Sequence, residues 1–179
     1  MTAWVALLRG VNVGGVTIRN ADLAAVMSDD LGLGAVRTVL ASGNVTFEAD
    51  AGPAARAALK SSIEGALRTR FGYDAWIVLV SRAEVHKAIS SFPFDAEDDT
   101  RQPWVVFGSD EAALDELVAA AEALDPVDDP VARGAGVLYW NPRKGTTTDT
   151  PFAKLLSRRQ YRATTTNRNL RTLEKIVAA

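Results

Sequence analysis

A chain of 179 residues, 47% hydrophobic and 23% charged, with a formal charge of −2, is long enough to bury a core as one domain or as two small ones. It has no cysteine, which excludes a disulfide framework, a thiolate nucleophile and cysteine-ligated zinc or iron–sulfur chemistry. Met1-Thr2-Ala3-Trp4 runs straight into a short apolar stretch that meets Arg9, unlike a signal peptide, and no apolar run approaches the roughly 20 residues of a membrane helix, so the chain reads as soluble and cytoplasmic.

Residues 4–8 suit a short buried strand, which the segment Arg9-Gly10-Val11-Asn12-Val13-Gly14-Gly15 breaks. Asn20 is placed to cap a helix that carries Leu23, Val26 and Met27 on its apolar face and stops at Gly32. Strands over residues 36–40 and 45–47 flank Ala41-Ser42-Gly43-Asn44, a hairpin signal. Pro53 opens a second helix in which Leu59, Ile63 and Leu67 recur every four residues, and residues 76–80 supply a fourth strand. The order β-α-β-β-α-β is that of a ferredoxin-like unit.

Ser81-Arg82-Ala83-Glu84 is a capping box that starts a helix with Val85, Ala88, Ile89 and Phe92 facing inward, and Pro93 with the acidic residues after it reads as a linker. The pattern then recurs. Residues 104–107 form a strand, and Ser109 caps a helix with Leu114, Leu117, Val118 and Ala121 inward. A short strand near Val131 turns through Arg133-Gly134-Ala135-Gly136 into residues 137–140, and Thr150-Pro151 starts a helix with Phe152, Leu155 and Leu156. A last strand is expected at residues 161–163 and a closing helix at Thr166, with Leu170, Leu173 and Ile176 facing in. The fold class is therefore α+β, two ferredoxin-like units in tandem with a C-terminal helix: residues 1–80, a helix and acidic linker over 81–101, and residues 102–179. Trp4, Trp76, Trp104 and Trp140 each fall in an expected strand, where large aromatics fill the layer beneath the helices.

Charge is unevenly spread. Residues 95–130 hold twelve acids against the one base Arg101, whereas residues 141–179 hold nine bases against Asp149 and Glu174. These are either two solvated faces or an acidic one and a basic, anion-binding one.

A right-handed crossover makes the first two strands parallel, so the loops that follow them share a rim. There Arg9, Gly10, Asn12, Gly14, Gly15, Ser42, Gly43 and Asn44 offer backbone N–H groups, amides and a guanidinium to an anion, with Arg19 as a further cation. The same glycines and asparagines would serve equally as positive-φ turn positions. The loop is no Walker A motif, because Val16 stands where lysine is required. A second rim is expected to join Arg143, Lys144 and Thr146, Thr147 and Thr148 to Thr166, Arg168 and Asn169 at the start of the closing helix. A helix N-terminus there favours an anion, and ordinary capping accounts for the threonine as well. His86 reads as a surface side chain beside Lys87, with no Ser–His or Cys–His pairing. Asp95, Glu97, Asp98 and Asp99 read as a solvated linker rather than metal ligands, so neither metal nor cofactor is expected.

Ala6-Leu7-Leu8-Arg9-Gly10-Val11-Asn12-Val13-Gly14-Gly15, Ser42-Gly43-Asn44-Val45, and Thr166-Asn167-Arg168-Asn169 with Thr172 and Lys175 together resemble the bacterial family known as domain of unknown function 1697, over nearly the whole chain. The resemblance implies a fold and a length but no reaction. Leu170 stands where the family usually has tryptophan and Val16 where many members have a basic residue. Any ligand those side chains serve would bind here more weakly or differently.

Three functions remain in play: a cytosolic protein binding a small anionic or phosphorylated ligand at one of the rims, an acylphosphatase-like phosphate hydrolase, and a nucleic-acid or protein interaction module using the basic C-terminal stretch. The hydrolase rests on fold-level analogy, with Arg9 or Arg19, the glycine loop and Asn44 as analogues. RNA recognition by stacking is disfavoured, because Asn44-Val45-Thr46-Phe47-Glu48 lacks the aromatic pattern it requires. Sequence reasoning assigns neither enzyme status nor oligomeric state.

Overall fold

The computed structural model describes residues 1–11, 16–72, 74–162 and 164–179, with the side chain of residue 162 excepted. The chain forms two compact units, Met1–Val85 with Lys175–Ala179, and His86–Glu174. Each is built on a four-stranded antiparallel sheet. Among the described residues, no helix is long and apolar enough to cross a membrane.

The first unit runs β1 (Thr2–Arg9), α1 (Asn20–Ala25) continuing as a π-helical turn (Val26–Asp30), β2 (Gly34–Thr38), β3 (Asn44–Ala49), a 3₁₀ turn (Pro53–Ala55), α2 (Arg56–Phe71) and β4 (Trp76–Ser81). The sheet order is β2-β3-β1-β4. Because β1 and β2 are both antiparallel to β3, they run parallel to each other, which is the expected crossover. Strand alternation sends Trp4, Ala6 and Leu8 to one face with Val45, Phe47, Ile77 and Leu79, and there they pack with Leu23, Met27, Ile63 and Leu67. Burying each large side chain contributes about 1.5–3 kcal/mol. Helix α2 stops at Gly72, whose φ of 66° lets its N–H return to the Arg68 carbonyl at 2.9 Å. The capping box forms as expected: the Ser81 N–H donates to Glu84 Oε2 at 2.6 Å, and the Glu84 N–H donates to Ser81 Oγ at 3.2 Å. It opens α3 (Arg82–Ser90).

The Asn20 cap does not form. Asn20 is itself the first helical residue, and its Nδ2 instead donates to the Leu40 carbonyl at 3.1 Å, tying the helix start to the β2–β3 turn.

The second unit runs β5 (Trp104–Gly108), α4 (Glu111–Ala121), β6 (Val131–Gly134), β7 (Val137–Trp140), α5 (Pro151–Leu156), α6 (Arg159–Arg162) and β8 (Thr165–Asn169), followed by α7 (Leu170–Ala178), and its sheet order is β6-β7-β5-β8. Val106, Leu114, Leu117, Leu138, Trp140 and Phe152 form its core. Thr150 caps α5 as expected, accepting from the Ala153 N–H at 3.1 Å, with Pro151 in the first turn. Helix α4 is capped by Asp110 rather than Ser109: the Asp110 carboxylate accepts from the Ala112 N–H at 2.8 Å, while the Ser109 hydroxyl donates to the Thr164 carbonyl at 3.4 Å.

The last strand and the closing helix differ most from expectation. Tyr161 belongs to α6, and the strand lies later, at Thr165–Asn169. Thr166 is therefore no helix cap. It is a buried strand residue opposite Phe107, and β-branched threonines suit that pleated, half-buried setting. The helix begins at Leu170, and the residue before it, Asn169, supplies the cap, its Oδ1 accepting from the Arg171 N–H at 3.0 Å.

Candidate functional site

At the first rim, β1 and β3 meet at Leu7 and Asn44. The turn before β3 is held against β1: the Leu8 N–H donates to the Gly43 carbonyl at 2.8 Å, and Gly43 has a φ of 71°. A Cβ at that position would stand 2.8 Å from the Leu8 Cβ, so both the conformation and the close approach require glycine. Asn44 is fully buried, and its Nδ2 donates to the Val39 carbonyl and to Ser42 Oγ, both at 2.8 Å. Both amide hydrogens are thus committed to closing the turn, which leaves no Asn44 donor for a phosphate or a water. Arg9 ends β1 opposite Trp76, on the same sheet face as Asn44 and two residues beyond its partner Leu7, and Gly10 turns the chain with a φ of 77°. Arg19 is engaged elsewhere, with Nε 2.8 Å and Nη2 3.2 Å from the two Asp22 oxygens. Asn12, Gly14 and Gly15 lie outside the described residues.

The second rim is organised by Trp104, the first residue of β5. Its partners are Trp140 at the end of β7 and Asn169 at the end of β8, so both strands finish beside it. The chain enters β5 through Arg101, Gln102 and Pro103 and is locked to the segment after β7: the Gln102 N–H donates to the Pro142 carbonyl at 3.0 Å, the Lys144 N–H to the Thr100 carbonyl at 2.9 Å, and the Lys144 ammonium to the Asp99 carbonyl at 2.8 Å. The Leu170 N–H donates to the Pro103 carbonyl at 3.0 Å, which fixes the start of α7 to the same place. A cleft of about 250 Å³ opens between these segments, with Arg101, Lys144, Asn169 and Arg171 on its walls together with Glu97, Asp98, Asp99 and Glu174.

Of the residues expected at this rim, the structure brings Lys144 and Asn169 together on the cleft wall, while Arg143, Thr146, Thr147, Thr148, Thr166 and Arg168 do not line it. Arg143 faces away, with Nε 3.4 Å from Asp128 Oδ1. Thr166 lies three residues back along β8, opposite Phe107. Arg168 is 8% exposed, and its Nη1 donates to Thr166 Oγ1 at 2.7 Å and to the Asn167 carbonyl at 2.9 Å, so it stabilises the strand.

The electrostatics of the cleft centre on its three cations. Among the described residues, none of Arg101, Lys144 and Arg171 has a carboxylate oxygen within 4.0 Å; the ion pairs there belong to other arginines and to Lys60. Arg101 Nη1 donates to the Asn141 carbonyl at 3.2 Å, which orients the guanidinium without neutralising it. Among the described carboxylates of the cleft, Asp98 has a structural task. Its Oδ1 accepts from Thr100 Oγ1 at 2.6 Å and from the Thr100 N–H at 2.9 Å. Those two hydrogen bonds, the hydroxyl first, hold its carboxyl below the usual range, with smaller help from Arg101 and Lys144. Among the described residues, no group of three or more His, Asp or Glu side chains could hold a metal ion.

Arg101, Arg171 and the acids Glu97, Asp98, Asp99 and Glu174 are the charged cleft residues that sequence reasoning passed over. Arg101 carried a signal, as the single base within an acidic run. Arg171 could have been found by taking Asn169 rather than Thr166 as the cap.

The chain belongs to a family described only as a protein of unknown function, DUF1697, whose model matches residues 1–139. That match takes in Arg9 and the Ser42-Gly43-Asn44 turn and ends before Lys144. The solved structure of a conserved bacterial protein from Streptococcus pneumoniae is similar throughout, with a TM-score of 0.80 at 25% identity over 99% of this chain and 97% of that one. No curated protein matches.

Proposed function

We propose that this protein binds a small molecule through an anionic group, in the cleft where β7, β8 and the start of β5 converge. One observation carries the reading: Arg101, Lys144 and Arg171 line a single cleft and, among the described residues, are not neutralised by any carboxylate in contact. A charge-assisted hydrogen bond from such a cation is worth about 1.5–3 kcal/mol where water is partly excluded. The three cations come from separate segments, each anchored by backbone hydrogen bonds, so binding has side chains rather than backbone to order. The first rim supports the reading less, because Asn44 and Gly43 are taken up in closing the turn.

Calorimetric titration of the full chain with glycerol phosphate tests this reading. Lys144→Ala should weaken binding about tenfold, while Arg143→Ala, on the other side of the rim, should leave it unchanged. Equal effects of the two variants would overturn the assignment of the cleft.

A further inference from the structure

The same cleft carries four carboxylates, Glu97, Asp98, Asp99 and Glu174, against its three cations, so its formal charge is −1. Asp98 is occupied by Thr100, but among the described residues Glu97, Asp99 and Glu174 have no ion-pair partner within 4.0 Å. A ligand that is only an anion would meet three attractive and three uncompensated repulsive charges. Each like-charge contact opposes binding, and more strongly where water is excluded. Resting on the reading of the cleft as a binding site, we infer that its ligand also carries an ammonium group, making it a small zwitterion.

The arrangement of charge supports both poles. Arg171 and Glu174 stand three residues apart on α7, hence on one helix face and about one turn, roughly 5 Å, from each other. Lys144 and Arg101 line the same cleft as further cations, and Glu97 and Asp99, on the segment leading to β5, as further carboxylates. A short chain joining an anionic group to an amine spans such a distance. Its ammonium supplies three N–H donors to carboxylates that, among the described residues, have no ion-pair partner, while its anion takes the donors of Lys144 and Arg171. The negative member of the cleft then becomes a determinant of specificity, because it penalises every anion that lacks the amine.

Titration of the full chain with two matched pairs tests this: phosphoethanolamine against glycerol phosphate, and γ-aminobutyrate against butyrate. The inference expects the amine-bearing member of at least one pair to bind about tenfold more tightly, and Glu174→Gln to shrink that ratio to about twofold or less. The pair that shows the preference identifies the anionic group. If glycerol phosphate or butyrate binds in a Lys144-dependent manner as tightly as its amine-bearing partner, the zwitterion is wrong while the anion site stands. If Lys144→Ala affects none of the four, the site itself is wrong and the inference falls with it.

Discussion

The indole N–H of Trp140 donates to the carboxylate of Asp129 at 2.8 Å, with both residues buried. The second Asp129 oxygen accepts from the Phe152 N–H at 3.0 Å, in the first turn of α5. One side chain thus joins the end of β7 to the start of α5 and satisfies two donors that would otherwise be buried without partners. Asp129→Ala orphans both and should cost about 2–4 kcal/mol, read as a shift in the urea midpoint with an unchanged slope. A loss below about 1 kcal/mol would mean that water replaces the carboxylate.

Two glycines should respond in opposite directions to alanine. At Gly43 the φ of 71° and a Cβ contact of 2.8 Å with Leu8 both oppose a side chain. Gly43→Ala should therefore destabilise by about 1–3 kcal/mol. Gly65 lies inside α2, where a new Cβ meets nothing within 4 Å. Gly65→Ala should stabilise by about 0.5–1 kcal/mol, because alanine has less backbone freedom to lose on folding. Thermal unfolding of both variants reads the two signs.

Leu40 has a φ of 59° and is 44% exposed at the tip of the β2–β3 turn. A branched side chain in the left-handed region carries strain that glycine relieves. Leu40→Gly should therefore raise the melting temperature slightly. A fall would mean that the leucine side chain contributes packing that its exposure does not reveal.

Glu84 gives the fold an acid-sensitive point. Burial pushes its carboxyl up, but that is outweighed by the Ser81 N–H, the Arg56 guanidinium and the Ser81 hydroxyl, so the carboxyl sits below its ordinary value. A carboxylate depressed in the folded state contributes stability that is complete above its unfolded value, about 4.3, and is lost as the pH falls through the folded one. The Arg56–Glu84 pair is 35% and 45% exposed, so solvent screening keeps the contribution small. Melting temperatures measured from pH 6 to pH 3, roughly across that window, should fall less steeply for Glu84→Gln than for the parent protein. Parallel curves would show that the carboxylate carries no folding linkage.

The tandem topology could be read from the sequence because its punctuation is local. Ser42-Gly43-Asn44 can hardly be other than a turn, Ser81 with Glu84 caps within four residues, and Thr150-Pro151 marks a helix start. The C-terminal boundary was not readable in the same way. Thr166 and Asn169 are both good caps, and what decides between them is the pairing of Thr165–Asn169 with β5, across some sixty residues of chain. That non-local choice moved Arg168 from an expected helix turn into a strand and brought Arg171 to the cleft. Asp98 was hidden for a related reason, since its acceptance from Thr100 is a turn-level event inside a run of acids that reads as solvated linker.

The most direct measurement of the central claim is an amide chemical-shift titration of the ¹⁵N-labelled full chain with glycerol phosphate. Binding in the cleft predicts that the Arg101, Lys144, Asn169 and Arg171 amides shift together along one saturating curve. Saturating shifts confined to Gly10, Ser42, Gly43 and Asn44 would place the anion at the first rim instead, and a spectrum that does not change would contradict binding of a phosphate-bearing anion by this protein.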